Sequence, residues 1–387
     1  MDPEPAINGE LIYSDHMIRA LAATGAEVAV VCGARPDSSR ADDSVDGNVR
    51  WSIVDGRHRP AWQSILSPLP NIAFRCAGPA MRRRVSEALE TYRWDVIAFD
   101  SLSMGWALPA ALAASGGAQR RPRLVYVSHN HEETTRAGVA RNYRGNPVKR
   151  AALVADARKA ARLERRVAGA VDVVTAIAPT DAALYAERRC NLPVIALPPG
   201  YDGRRIARRD ITAETPRQVV MIGSFDWVAK QMNLRLFAGA AATAFDRAGV
   251  ALTVVGDGGR FLDAMRREFP SVRFTGRVDD IYPYLDRARI AVIPERFGGG
   301  FKLKSLDYVF NRLPVAALER SFDGVPLVRD ESVLAYPDIA TLVCGIVASI
   351  DDLPLLNRLQ EHAFAACEDR FDWSARGRAL SAAVGAP

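Results

Sequence analysis

The sequence predicts an α/β protein made of two doubly wound halves, each a parallel sheet covered by helices. Short apolar runs of strand length alternate with helical patterns almost from end to end. The 387-residue length exceeds what a single hydrophobic core usually fills. The paired prolines and glycine of "LPPGYDG", near residue 200, break the alternation where one half would end.

In chain order, "HMIRALAATG" reads as a helix stopped by Gly25, and "EVAVVC" as the strand it feeds. The unit repeats as "RRRVSEALETYR" then "DVIAFD", "WALPAALAASGG" then "RLVYVSHN", and "ARLERRVAGA" then "VDVVTAIA", before a short strand "PVIALP". The second half restarts with "QVVMIG", a helix around 231–247, "ALTVVG", a helix around 260–268, "VRFTG", a helix around 279–287 and "IAVIP". A doubly wound half ordinarily opens with a strand, but this chain begins on the polar stretch "DPEPAINGE". The first strand is therefore missing from the expected alternation, which implies a start assigned downstream of the true one.

Composition sets the class. With 49% hydrophobic and 25% charged residues, the balance is that of a soluble globular protein. No run approaches the roughly 20 apolar residues of a membrane span, and the acidic, polar start is unlike a secretory signal, so a cytoplasmic protein is expected. The five cysteines (Cys32, Cys76, Cys190, Cys344, Cys367) lie far apart and fit reduced thiols better than disulfides or a zinc site. Arginine clusters stand at "MRRRV", "QRRPR", "RLERR" and "RRIARR" within a net charge of +6. They read either as solvated faces or as contacts to an anionic membrane at its inner face or to a polyanionic acceptor. No aromatic and basic interleaving accompanies them, so no nucleic-acid partner is expected.

The stretch richest in chemistry is "PERFGGGFKLKSLDYVFNRLPVAAL", 294–318. Gly298, Gly299 and Gly300 follow a buried-strand pattern and let the backbone turn sharply and approach a ligand closely. Leu303, Leu306 and Phe310 at helical spacing place a helix start near Lys302, whose free N–H groups would suit a phosphate. Lys304 and Asp307, three apart on one face, would neutralise phosphate and accept from ribose hydroxyls; Arg296 adds a second cation. The plainer reading is a glycine loop that permits close helix packing. "VVGDGGRFL" follows a strand, but the third glycine of a dinucleotide fingerprint would fall at Phe261, so it reads as a tight turn. "YVSHNHEETTR" lies at the carboxyl end of a strand, the ligand side of open α/β sheets. Its His129, Asn130, His131 and Glu132 read as helix caps, as cleft groups, or as part of a metal cluster that only His16, His58 and His362 remain to complete among histidines.

The 294–318 run resembles the donor-binding signature of retaining glycosyltransferase family 4, group 1: proline, GGG, LK, an acid, then PV. The family's acid is usually glutamate, and here Asp307 is one methylene shorter. "MIGSFDWVAKQMNLRLF", "LPPGYDG", "FTGRVDDIYPYLDRARIAVIP" and "FDWSARGRAL" are similar to further family segments in the same order, so the resemblance covers nearly the whole chain. It implies a GT-B fold of two Rossmann-like domains facing a cleft. Residues 1–199 would form the acceptor side, 200–365 the nucleotide-sugar side, and 366–387 a helix crossing back.

The activity implied is transfer of a hexose from a nucleoside diphosphate sugar to a glycan, lipid-linked or other acceptor, as in polysaccharide biosynthesis, with retention and without a metal. The resemblance assigns donor diphosphate to Gly223, Ser224, Lys230, Arg296, Gly298, Gly299, Gly300 and Lys304, and ribose to Asp307. It assigns catalysis to His129, as a neutral imidazole on the transferred sugar, and to Glu132, which would orient it or contact the acceptor, with Asn130 beside them, and Asn8, Gly9 and Glu10 to a cleft loop. A sugar-nucleotide 2-epimerase and a catalytically silent nucleotide- or partner-binding protein are the competing expectations. The base, sugar, acceptor and oligomeric state are not written in these motifs.

Overall fold

The computed structural model describes every residue except 7, 39, 56–58, 116–120, 189–190 and 386–387. Cys190, His58 and the first two residues of "QRRPR" thus lie outside the described residues. The chain divides into two compact units: Met1–Gly200 with Gly299–Phe301 and Asp372–Pro387, and Tyr201–Gly298 with Lys302–Phe371.

The first unit runs α1 (Gly9–Ala22), β1 (Val28–Gly33), β2 (Ser44–Asp46), β3 (Val49–Val54), a 3-10 helix (Ala61–Leu66), α2 (Asn71–Cys76), α3 (Pro79–Thr91) and β4 (Val96–Asp100). A second 3-10 helix (Leu102–Ala107) leads into α4 (Leu108–Ser115), β5 (Arg123–Ser128), α5 (Glu132–Asn142), α6 (Pro147–Ala170), β6 (Val173–Ala176), α7 (Pro179–Arg188) and β7 (Val194–Ala196). The second unit holds β8 (Gln218–Ile222), α8 (Val228–Ala248), β9 (Ala251–Val255), α9 (Gly259–Glu268), β10 (Arg273–Phe274), α10 (Tyr282–Asp286) and β11 (Ile290–Ile293). It continues with α11 (Lys304–Phe310), β12 (Val315–Leu318), β13 (Leu334–Tyr336), α12 (Ile339–Ser349) and α13 (Leu353–Cys367). The last helix, α14 (Trp373–Val384), returns to the first unit.

The second unit has one six-stranded sheet, β10-β9-β8-β11-β12-β13, parallel throughout. Its strands are buried on both faces, which explains why they read as unbroken apolar runs. On α8, Leu234, Phe237, Ala238, Ala241 and Phe245 recur at three and four residues and pack on Val219, Met221, Leu252 and Val254. Gly249, in the left-handed region at φ 63°, ends that helix.

The first unit carries two sheets. In β4-β5-β6-β7 all strands are parallel, and β5 alternates cleanly: Leu124 and Tyr126 face Leu163 and Val167 of α6, while Val125 joins Tyr13 and Met17 of α1 and Leu380 of α14. Helices α1 and α14 approach so closely that a Cβ on Gly377 would lie 2.2 Å from the Ala20 carbonyl oxygen. The other sheet, β1-β3-β2, pairs β1 with β3 in parallel and β2 with β3 as an antiparallel hairpin. Among the described residues no strand precedes α1. The edges of β1 and β4 carry apolar residues open to solvent: Ala29 and Ala98 are exposed, and Val28, Val30, Val31, Val96 and Ile97 only half-buried.

Several boundaries differ from the sequence expectation. Helix α1 begins seven residues before "HMIRALAATG" because the Asn8 side chain accepts the Leu11 N–H and caps it there. The hairpin, the first 3-10 helix and α2 are additions to the expected elements, although β3 does alternate, with Val49, Trp51 and Ile53 buried and Arg50 exposed. Among the described residues, no single helix is long and apolar enough to cross a membrane.

Candidate active site

In the second unit, the candidate residues gather at the carboxyl ends of β8 and β11. Strand β8 runs into Gly223 and Ser224; β11 runs into Pro294 and Glu295. A Cβ on Gly223 would come 3.9 Å from Lys304 Nζ, and one on Gly256, at φ 130°, would fall 1.7 Å from the Gly223 carbonyl oxygen. Glycine is required at 256 to let β9's turn pass β8's.

Glu295, which the sequence reading passed over, is the centre of this cluster. Lys304 Nζ forms an ion pair with one carboxylate oxygen, and Lys302 Nζ lies 3.7 Å from the other. Lys304 also donates to the Ile222 carbonyl at 3.3 Å, and Lys230 donates to Ser224 Oγ at 3.0 Å. Burial pushes the Glu295 carboxyl up, but Lys304, Lys302 and Lys230 outweigh it and hold it ionised, below the usual range. Burial and the charge of Lys304 hold Lys230 below the usual lysine value. Three lysines around one buried carboxylate leave an excess of positive charge, the requirement for a bound anion. The sequence signal was available: an acid directly after a buried strand, on the ligand side of the sheet.

Helix α11 spans Lys304–Phe310, close to the expected start near Lys302, whose carbonyl accepts the Ser305 N–H at 2.8 Å; no side chain caps it at Leu303. Arg296 is exposed, its guanidinium 5.7 Å from the Phe297 ring, apart from the groups that act on Glu295. Asp307 points to Tyr201, whose hydroxyl stands 3.2 Å from Oδ1. Burial pushes the Asp307 carboxyl up to about 7; the tyrosine hydroxyl partly opposes this and the charge of Asp202 adds to it.

Gly299 and Gly300 belong to the first unit, where a Cβ on either would strike the Thr135 side chain at 2.4 Å or the His129 carbonyl oxygen at 2.5 Å. Gly298 and Gly300 have φ of 109° and 67°, so the loop demands glycine on both conformational and steric grounds.

In the first unit, β5 delivers His129 beside the end of β4. His129 Nε2 lies 2.6 Å from Asp100 Oδ1, and Asp100 Oδ2 accepts from Ser14 Oγ of α1 at 2.6 Å. Tyr13 packs edge-on against the imidazole at 5.4 Å, while Nδ1 is buried with no partner among the described residues. Burial would lower the pKa of His129, but the Asp100 carboxylate outweighs it, with Glu10 and Glu132 adding to the effect, so the value is raised. Asp100 thus works against the neutral imidazole that the resemblance implies. Neither Asp100 nor Ser14 was singled out in the sequence, although Asp100 ends the "DVIAFD" strand on the ligand side.

The neighbours of His129 are structural. Glu132 is buried and pairs with Arg136, which donates onward to Asp156 at 3.0 Å, so its carboxylate is committed within the helix layer. Asn130 Nδ2 reaches Glu132 Oε1 at 3.4 Å. His131 caps α5, and burial brings its pKa down to about 4, keeping it neutral. The backbone N–H groups of Glu132 and Glu133 are met at 2.9 and 2.8 Å by Glu164, whose buried carboxyl is pushed up to about 7. No group of three or more His, Cys, Asp or Glu is placed for a metal among the described residues. Asn8, Gly9 and Glu10, expected as a cleft loop, are the cap and the first two residues of α1, with Glu10 exposed.

Comparison with known proteins bears on this arrangement. By sequence, no curated protein matches. Among solved structures, sucrose-phosphate synthase from Thermosynechococcus elongatus aligns with a TM-score of 0.71 at 18% identity, over 98% of this chain and 95% of that one. WaaG, a glycosyltransferase involved in lipopolysaccharide biosynthesis, aligns at 0.64 and 16% over 98% and 96%. HepE of Anabaena, in complex with UDP and glucose, aligns at 0.60 and 14% over 88% and 87%. These likenesses show the GT-B fold. The pattern described as "Glycosyl transferases group 1" matches residues 216–352, and that described as "Glycosyltransferase Family 4" matches residues 7–205, just over half of the chain. The chain therefore belongs to glycosyltransferase family 4 and is a glycosyltransferase of the group 1 type.

Proposed function

We propose that this enzyme transfers a hexose, with retention, from a nucleoside diphosphate sugar to a glycan or lipid-linked acceptor. The observation that carries the reading is the surplus of cations at the end of β11: Lys230, Lys302 and Lys304 around Glu295. As the glycosidic bond breaks, negative charge builds on the departing diphosphate, and fixed cations in a partly desolvated site stabilise that charge most. The backbone at Gly223 and Ser224 lies beside Lys304 and Lys230, the place for the phosphates. Asp307 is the acceptor for the ribose hydroxyls. HepE, with its bound UDP and glucose, makes a uridine nucleotide the first donor to try.

His129, set by Asp100, contributes its unpartnered Nδ1 to the sugar being transferred. An imidazolium there donates a hydrogen bond to a sugar hydroxyl or to the developing charge. The lysines supply the leaving-group stabilisation, so transfer should persist with excess chelator.

The test is thermal unfolding with UDP, GDP, ADP and dTDP in turn. A nucleotide at about 100 times its Kd stabilises the native state by about 2.7 kcal/mol. A rise with one nucleotide, lost in Lys304→Ala and weakened in Asp307→Ala, is expected. No rise with any of them, in a protein that unfolds cooperatively, would overturn the reading in favour of a silent, partner-binding protein.

A further inference from the structure

The first 3-10 helix, "AWQSIL", carries three of the exposed large apolar side chains on one short element: Trp62 is 66% exposed, Ile65 64% and Leu66 88%. Large apolar groups this exposed and this close together mark a contact surface rather than scattered surface residues. The helix is held firmly from beneath. Ser64 is buried, and Lys159 of α6 donates to the Ser64 and Ile65 carbonyls at 2.8 and 3.0 Å. The apolar side chains are thus presented on a fixed support.

Beside the helix opens a pocket of 330 Å³ whose lining includes Arg59, Ser67, Phe74 and Arg82. The Arg59 guanidinium lies 3.5 Å over the Phe74 ring and donates to the Phe74 carbonyl at 3.1 Å. The Arg82 guanidinium lies 4.9 Å over the Trp106 ring and donates through Nε to the Ala77 carbonyl at 3.0 Å. Both are fixed by rings and carbonyls, and neither pairs with a carboxylate among the described residues. Both arginines therefore bring to the pocket lining a positive charge that no described carboxylate offsets.

We propose that this face docks on an anionic phospholipid bilayer, with Trp62, Ile65 and Leu66 entering the interface and the Arg59 and Arg82 pocket taking a lipid phosphate. A phospholipid presents apolar chains and a phosphate side by side, matching the helix and the pocket beside it. Tryptophan favours the depth at which headgroups meet acyl chains. A second copy of the chain would bring the same unneutralised arginines against each other, so charge favours the membrane over self-association. The inference is independent of the donor site, which lies in the other unit.

The experiment is co-sedimentation of the full chain with vesicles of phosphatidylcholine alone or mixed with phosphatidylglycerol. Binding to the anionic vesicles only is expected. The change of Trp62, Ile65 and Leu66 together to Ser, and separately the pair Arg59→Gln and Arg82→Gln, should each weaken it by about tenfold or more. Both variants should keep the nucleotide-dependent thermal shift of the parent, which separates a failed surface from a failed donor site or a misfolded protein. Absence of binding to either vesicle, binding unchanged in both variants, or dimerisation abolished by the triple change without vesicle binding would each overturn the proposal.

Discussion

At the scale of single residues, His129 is defined by what touches it. The Asp100 carboxylate fixes Nε2 and, through Ser14, is itself fixed to α1. Asp100→Asn removes the charge and keeps the shape, so the imidazole loses the carboxylate that raises its pKa. Turnover should fall by about a hundredfold if His129 contacts the sugar, with KM for donor little changed. The raised His129 value contributes stability that is fully present below the ordinary histidine pKa and is lost as pH rises through the folded value. The lowered Asp100 value contributes stability present above the ordinary aspartate pKa and lost as pH falls through the folded one. The wild type should therefore exceed Asp100→Asn in denaturant unfolding most clearly near pH 5 to 6, by about 1 kcal/mol, since the Asp100 side chain is 43% exposed. A difference that persisted undiminished at about pH 10 would contradict the pairing. Asp307 runs the other way. Its folded pKa is raised to about 7, so the native state keeps a proton that the unfolded chain releases, and stability falls as pH rises from about 4 to about 7. Asp307→Asn should match wild type near pH 4 and be the more stable of the two near pH 8, as read by thermal midpoint.

At the scale of elements, the glycine loop and α11 show how far pattern reading reaches. The spacing of Leu303, Leu306 and Phe310 announces a helix, and it is there; the three glycines announce a close approach to a ligand, whereas what Gly299 and Gly300 approach is the Thr135 side chain and the His129 carbonyl, as the plainer packing reading has it. The pairing of Lys304 with Glu295 was not legible, because it is a tertiary contact that spacing along one helix does not show. Asp307 was read for its chemistry, but its partner Tyr201 lies 106 residues away, and only the fold brings them together. Likewise Glu132 looked available until the fold paired it with Arg136, which it shares with Asp156. Gly300→Ala tests the loop directly. With φ 67° and the His129 carbonyl 2.5 Å from the new Cβ, it should cost about 1–3 kcal/mol in denaturant unfolding. Gly138→Ala, with nothing within 4 Å of its Cβ and an ordinary helical place on α5, should be neutral or mildly stabilising.

At the scale of the whole molecule, the alternation of apolar runs and helical patterns was enough to read two parallel-sheet units, because strands buried on both faces leave an unmistakable composition. The short helices before α3 and the three-residue β2 carry too few positions for a period, whereas β3 alternates along VRWSI, with Val49, Trp51 and Ile53 buried, a signal that was legible but passed over. The two open edges have a practical consequence. Strands β1 and β4 each present unpaired backbone groups flanked by valines and alanines, with no lysine or proline within either strand to discourage a visitor. A concentrated solution of this chain is therefore one in which neighbours can lend each other strands, and light scattering should rise with protein concentration and with storage time. An alternating Val- and Thr-rich peptide added in excess would compete for those edges and slow the rise, making shelf life a readout of sheet topology.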